Sequence, residues 1–114
     1  MSVPKLWHNP KCSKSRQAVA LLKEQGIDFE EVRYMDTPPT VGQLNEYLEQ
    51  INKRPLEVMR TKEAIFKELG LVSASDEQLI EAMAANPKLI ERPVLFAKGK
   101  AVIGRPTEDL LTIL

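Results

Sequence analysis

The sequence predicts an α/β fold in which helices pack on a mixed four-stranded sheet. Two strand-like runs, residues 3–7 and 27–34, flank a helix-like run over residues 16–25, which is the order of a βαβ unit, although Ile27 and Phe29 fall out of phase with Val32 and Tyr34. Two further apolar runs, residues 94–97 and 100–103, flank a two-residue turn and predict a β-hairpin. A parallel unit and an antiparallel hairpin in one chain indicate a mixed sheet.

The N-terminal βαβ unit is predicted from local patterns. Pro4 is tolerated because it lies near the start of the first strand. One face of the following helix is apolar and consists of Ala18, Leu21 and Leu22. Gly26 is a natural stop for this helix. The second strand, residues 27–34, ends before the turn-forming residues 36–39, which mark a firm break.

The middle of the chain is predicted to be helical. Thr40 with Gln43, and Ser75 with Gln78, have the spacing of a capping box before an apolar helical pattern. Between them, residues 61–69 have apolar residues at helical spacing. After the hairpin, residues 107–114 predict a short closing helix.

Length and charge limit the functions that the chain can have. With 114 residues we expect a single domain spanning residues 1–114. Sixteen basic and sixteen acidic residues cancel, which argues against nucleic acid or an anionic membrane as the main partner. We expect neither a membrane span nor a signal peptide, since polar residues interrupt every apolar run.

The chain contains one cysteine and one histidine. A single cysteine cannot form an internal disulfide, so we expect a reducing cytoplasmic location. One cysteine and one histidine also argue against a dedicated zinc site, because such sites usually take four ligands. We therefore expect no metal and no bound cofactor.

The cysteine, Cys12, follows the first predicted strand and precedes the first predicted helix. Helix N-termini and nearby cations lower a thiol pKa, and Lys11, Lys14 and Arg16 surround this position. This placement favours a nucleophilic thiolate. The alternative is a buried, unreactive cysteine, which is the common fate of a free thiol.

Three polar side chains near Cys12 have open interpretations. His8 could add a cation when protonated, although a lone histidine is more often structural. Ser13 and Ser15 are most simply helix caps, although either hydroxyl could donate to the sulfur. Because the chain has no second thiol, any oxidised adduct on Cys12 must be resolved by an external thiol.

Two arginine–proline pairs bracket the predicted hairpin. If residues 98–99 form a two-residue turn, Arg92 lies directly across from Arg105. Like charges in opposed positions destabilise a sheet, so a pair of guanidinium groups here suggests that an anion binds between them. The alternative is two solvated arginines, or arginines paired with neighbouring acidic residues.

These residues resemble a known family, the glutaredoxin-coupled arsenate reductases of the thioredoxin-like superfamily. The segments that carry the resemblance are, in order, His8-Asn9-Pro10-Lys11-Cys12-Ser13-Lys14-Ser15-Arg16, Tyr34 to Thr40 ending in Thr37-Pro38-Pro39-Thr40, Met59-Arg60, Glu68-Leu69-Gly70-Leu71, Arg92-Pro93 and Arg105-Pro106. The resemblance covers nearly the whole chain. It implies a thioredoxin-like sheet with a helical insertion over about residues 40–90, and a cis peptide bond before Pro93.

The resemblance also implies roles for six side chains. Cys12 matches the nucleophile of the family, His8 a residue that helps to lower the thiol pKa, and Ser15 a hydroxyl near the thiolate. Three arginines match the oxyanion-binding set of the family: Arg60, Arg92 and Arg105. The implied function is an arsenate reductase that binds arsenate or a similar oxyanion, with glutathione as co-substrate and glutaredoxin as partner.

Two other functions stay open at this stage. A monothiol glutathione-dependent oxidoreductase would use Cys12 but would not need an arginine site for an oxyanion. A non-enzymatic regulator resembling the Spx proteins, which bind RNA polymerase, would share the fold. Many of those proteins have a Cys-x-x-Cys switch, but here the positions three residues on either side of Cys12 are Asn9 and Ser15, which excludes an internal disulfide.

Overall fold

Four strands form one mixed sheet in the order β2-β1-β3-β4. The strands are β1 (Lys5–Trp7), β2 (Glu30–Val32), β3 (Val94–Ala97) and β4 (Lys100–Ile103). β1 pairs in parallel with β2 and antiparallel with β3, and β3 pairs antiparallel with β4. The predicted mixed four-stranded α/β sheet is therefore confirmed.

The structure, a computed structural model, describes residues 3–114. The chain forms two compact units. The first unit contains the sheet and combines the N-terminal part of the chain, up to Thr37, with Arg92–Leu114. The second unit, Pro38–Glu91, covers almost the same residues as the helical insertion that the resemblance implies.

The strand register brings four chain segments to one edge of the sheet. Trp7 is paired with Val32 on one side and with Val94 on the other, and Val94 is paired with Ile103. We call this the Trp7 edge. The strands β1, β2 and β4 end at this edge, and β3 begins at it.

Helix α1 (Ser13–Glu24) begins three residues earlier than predicted, because Cys12 itself takes the N-cap position with extended backbone angles. Its buried face includes Ala18 and Leu22. These side chains belong to an apolar core completed by residues of the sheet and of the C-terminal segment, namely Leu6, Leu95 and Leu110. Full burial of one such leucine stabilises the fold by about 1.5–3 kcal/mol.

The second strand is shorter than the predicted run of residues 27–34. Only Glu30–Val32 pair with β1, because β1 has just three residues to offer. Ile27 and Phe29 instead pack as partly buried side chains against the core of the first unit. Their apolar character therefore reflects core packing before the strand.

The hairpin has the predicted register, with Ala97 paired to Lys100. Lys98 and Gly99 both have positive φ angles, 55° and 75°, as a type I′ turn requires. Just beyond β4, a Cβ on Gly104 would lie 2.9 Å from Pro93 Cγ. Glycine at position 104 thus lets the chain pass close to Pro93 at the arginine-bearing end of the hairpin. There the Gly104 N–H donates to the Pro93 carbonyl at 2.9 Å.

The closing segment is helical but forms a 3-10 helix over Thr107–Ile113 instead of the predicted α-helix. Leu110 is its fully buried side chain. The peptide bond between Arg92 and Pro93 is cis, as the resemblance implies, and the bond between Arg105 and Pro106 is also cis.

The second unit is helical, as predicted. It contains α2 (Val41–Ile51), α3 (Ala64–Glu68) and α4 (Asp76–Ala85), joined by short 3-10 segments. Both expected capping boxes are present: Thr40 with Gln43 before α2, and Ser75 with Gln78 before α4. Among the helices of residues 3–114, none is both long and apolar enough to cross a membrane.

Candidate active site

Cys12 lies at the Trp7 edge, where the chain leaves β1 and enters α1. The Cys12 N–H donates to the Asn9 carbonyl at 3.0 Å, and the Arg16 N–H donates to the Cys12 carbonyl at 3.0 Å. The first bond closes the loop and the second starts the helix. The thiol is partly exposed, so the interpretation as a buried core cysteine does not apply.

The pKa of the Cys12 thiol is lowered from its ordinary value. Partial burial acts in the opposite direction and raises this pKa, but a hydrogen bond from the Arg92 side chain and the positive charge of Arg92 lower it. The backbone N–H groups of Ser15 and Lys14 lower it further. Among the groups that lower the pKa of this thiol, Arg92 has the largest effect.

Arg92 is half-buried and enters the sheet edge two residues before β3. Burial lowers the pKa of Arg92, but its interactions with Cys12 and Tyr34 raise this pKa overall. Its Nε–H is buried and has no hydrogen-bond partner among the described residues. Arg92 is therefore the cation whose charge acts on the sulfur.

Arg105 lies across the hairpin from Arg92, as the register predicted. Its Nε–H donates to the backbone carbonyl of Arg92 at 2.8 Å, and its side chain is exposed. This bond ties the two arginine-bearing ends of the hairpin together. It leaves the guanidinium of Arg105 near solvent, where an incoming anion can reach it.

Arg60 belongs to the second unit. Its Nε–H donates to Glu63 Oε1 at 3.0 Å within that unit. Its backbone N–H donates to the Leu89 carbonyl at 2.7 Å, beside the bridge between Met59 and Ile90. The role that the resemblance implies for Arg60 in oxyanion binding stays a prediction.

Three basic residues lie close to Cys12 in the sequence, and the structure exposes the side chains of all three: Lys11, Lys14 and Arg16. Arg16 is used structurally, because its Nη1 donates to the Pro10 carbonyl at 2.9 Å and so braces the loop before the cysteine. The lowering of the thiol pKa comes instead from Arg92 and the backbone of the first helical turn.

His8 and Ser15 form a buried pair. Their Nδ1 and Oγ atoms lie 2.6 Å apart, and Ser15 Oγ also accepts the backbone N–H of Asn9 at 2.9 Å. Burial lowers the pKa of His8, an effect that nearby Arg33 and Arg16 reinforce and Glu31 opposes. The imidazole is thus mostly neutral at neutral pH, and its tautomer decides whether Nδ1 accepts from the Ser15 hydroxyl or donates to it.

We expect Ser15→Ala to lower the free energy of unfolding by about 1–3 kcal/mol, because it leaves the partly buried Asn9 N–H and the buried His8 Nδ1 without their partner. Urea denaturation of the variant and the parent measures this difference. Ser13→Ala is the matched control, since Ser13 is exposed in the same helical turn. Equal losses in both variants would contradict the structural role of the Ser15 hydroxyl.

Tyr34 is a site residue that the sequence did not single out. It follows β2 by two residues and is almost completely buried, and its interaction with Arg92 contributes to the raised pKa of Arg92. Its ring packs against Trp7, with the ring centroids 6.2 Å apart. In the sequence it is the last residue of the second predicted strand and the first of a segment that carries the family resemblance.

The arrangement is suited to thiolate chemistry on an anion. A partly exposed sulfur of lowered pKa lies beside a guanidinium and a helix N-terminus, both of which attract negatively charged oxygens. Within residues 3–114, no three side chains of His, Cys, Asp or Glu are grouped to hold a metal ion.

Residues 7–113 match the sequence profile described as the ArsC family, so the match covers almost the whole chain. The chain belongs to the ArsC family. One relative is an arsenate reductase of Neisseria meningitidis. It is 42% identical over 113 residues, and the alignment covers 96% of this chain and 97% of the relative.

Another relative, the uncharacterized protein YfgD of Escherichia coli K12, is 49% identical over 113 residues. The alignment covers 96% of this chain and 95% of the relative. The solved structure of an arsenate reductase from Vibrio cholerae is 44% identical, with a TM-score of 0.95 and 98% of each chain covered. The thioredoxin-like ArsC fold implied by the resemblance is thereby confirmed.

Proposed function

We propose that this ArsC-family protein is a cytoplasmic arsenate reductase that uses the Cys12 thiolate as nucleophile and glutathione with glutaredoxin as reductant. The observation that supports this proposal most is the Arg92 guanidinium hydrogen-bonded to a partly exposed thiol of lowered pKa. Relatives at 42% identity that are named arsenate reductases supply the substrate class.

In this proposal the arginines bind the oxyanion. Arg92 carries a charge next to the sulfur, and Arg105 lies across the hairpin with its side chain exposed to an incoming anion. The family resemblance adds Arg60 to the proposed set as a prediction. Guanidinium groups present paired N–H donors that fit tetrahedral oxyanions, and they stabilise the charge that the oxygens carry during displacement.

The chemistry requires two thiols and no metal. The Cys12 thiolate attacks As(V) and forms a sulfur–arsenic bond as water leaves. A glutathione thiolate then bonds to the Cys12 sulfur, and the electron pair of the sulfur–arsenic bond passes to arsenic, which becomes As(III) and leaves as arsenite. Glutaredoxin removes the glutathione from the resulting mixed disulfide by thiol–disulfide exchange and restores Cys12.

His8 and Ser15 support this reaction by fixing the loop that ends in Cys12. Their buried pair ties residues 8–9 to the first turn of α1, whose N–H groups lower the thiol pKa. In this proposal they set the position of the sulfur, while Arg92 supplies the charge.

The deciding experiment is a comparison of two substrates with the same protein. Arsenate and a glutathionylated peptide are each supplied with glutathione and glutaredoxin, and arsenite and released glutathione are measured. We expect arsenite formation that slows when glutaredoxin is omitted and that high inorganic phosphate inhibits. Release of glutathione from the peptide without arsenite formation would instead identify a monothiol oxidoreductase.

A further inference from the structure

Asn9 uses three of its polar groups to build the turn that leads into Cys12. Its backbone carbonyl accepts the Cys12 N–H at 3.0 Å, and its side-chain Oδ1 accepts the Lys11 N–H at 3.0 Å. Its own N–H donates to Ser15 Oγ at 2.9 Å. One residue is therefore bonded both to the turn before the cysteine and to the first turn of α1.

The turn over residues 9–12 fits its sequence. A backbone bond from the fourth residue to the first makes a β-turn, and asparagine in the first position and proline in the second are favoured there. The Oδ1 bond of Asn9 adds an Asx-turn within the same segment. Arg16 bonds to the Pro10 carbonyl at 2.9 Å. The turn is thus held by one side chain that precedes Cys12 and by one that follows it.

The end of this turn sets the direction of the Cys12 side chain. Cys12 is the N-cap of α1, with an extended backbone at φ −99° and ψ 125°. A side chain at an N-cap faces the N–H groups of the second and third helical residues, which here are Lys14 and Ser15. These are the backbone groups that lower the pKa of the Cys12 thiol. A change in the backbone at Cys12 would move the sulfur relative to them.

We propose that Asn9 is a positioning residue that closes the turn before Cys12 and so directs the thiol at the backbone N–H groups of the first helical turn. Asn9 acts through the backbone of the turn and does not contact the sulfur in this proposal. Of its three bonds, only the Oδ1 bond depends on its side chain, because the other two use backbone groups. A substitution at position 9 therefore removes one bond and permits the other two.

The test is Asn9→Ala, which leaves the exposed Lys11 N–H to bond with water. The rate of Cys12 alkylation by iodoacetamide is measured against pH, with no need for arsenate. Well below the midpoint of the profile, where the rate follows the thiolate fraction, we expect alkylation to slow by about twofold to fivefold. At high pH, where the thiol is ionised in both proteins, the rates should be equal. An unchanged profile, or an equal slowing at every pH, overturns the proposal.

Asn9→Ser tests the acceptor oxygen itself. A serine hydroxyl can accept from the N–H two residues further on, as an asparagine Oδ1 does, but more weakly. We expect its alkylation profile to lie between those of the parent and Asn9→Ala. A serine profile no closer to the parent than the alanine profile overturns the role of the acceptor.

Asn86→Ala is the matched control. Asn86 Nδ2 donates to the Ala82 carbonyl at 3.2 Å within the second unit. This variant also removes a local bond between an asparagine side chain and the backbone, and its alkylation profile should coincide with that of the parent. An equal shift in both variants overturns the local role of Asn9. Thermal melts of the variants separate a loss of stability from a change at the sulfur.

The arsenate kinetics of Asn9→Ala rest on the proposed function. Because this variant leaves the arginines in place, kcat for arsenate should fall by more than KM rises. A shifted alkylation profile in a protein that does not reduce arsenate leaves the positioning role intact and rejects only the proposed substrate. Arsenate reduction with an unchanged profile rejects only the positioning role.

Discussion

Replacing Cys12 by serine is expected to reduce arsenite production by more than about a thousandfold, as loss of a nucleophile does in other enzymes. The serine hydroxyl is not ionised at neutral pH, and oxygen cannot form the mixed disulfide that carries the electrons. The fold should be retained, because Cys12 occupies the N-cap of α1 and serine is among the preferred residues at that position.

The measurement is arsenite formation with glutathione and glutaredoxin, set beside urea denaturation of the same two proteins. We expect the free energy of unfolding of Cys12→Ser to equal or slightly exceed that of the parent. Ser13→Ala, one residue further along the helix, is the control for a change near the N-terminus that spares the thiol. Substantial activity in Cys12→Ser would remove the nucleophile from the proposal.

Replacing Arg92 by glutamine is expected to impair both the thiolate and the binding of arsenate. Arg92 lowers the pKa of Cys12, so its loss moves this pKa upward and reduces the thiolate fraction at pH 7. Alkylation at pH 7 should slow in proportion to this loss of thiolate. The difference should vanish above the ordinary thiol pKa, where both proteins are ionised. Loss of an oxyanion donor should lower kcat/KM for arsenate by about a hundredfold or more.

Arg105→Gln is the informative partner variant. Arg105 is exposed and bonds to the Arg92 carbonyl, whereas the groups that lower the thiol pKa are Arg92 and two backbone N–H groups. We expect a higher KM for arsenate with an alkylation profile close to that of the parent. If Arg92→Gln left both the profile and the KM unchanged, the central contact of the proposed site would be wrong.

The hairpin illustrates what local sequence can specify. Lys98-Gly99 fits a turn with two positive φ angles, and a two-residue turn fixes the pairing of every residue beyond it. The opposition of Arg92 and Arg105 followed from that count alone. The boundary of the second strand was missed, because the length of a strand depends on a partner distant in sequence, here the short β1.

Part of the site could not be predicted for related reasons. The sequence placed serines as caps because serine is a common cap, whereas the structure gives the N-cap to Cys12 and buries Ser15 with His8. Tyr34 begins a segment that carries the family resemblance, but it has no charge that would assign it a role. Its place at the Trp7 edge arises from pairing among three strands, which no local pattern encodes.

The contacts of the Trp7 ring with Tyr34 and Phe96 make its fluorescence a reporter of this part of the protein. The sequence contains one tryptophan, so indole fluorescence originates at the sheet edge of the first unit, one residue before His8. Far-ultraviolet circular dichroism records helices of both units. If the denaturation curves from the two signals coincide, the two units unfold cooperatively. If the curves separate, one unit unfolds before the other.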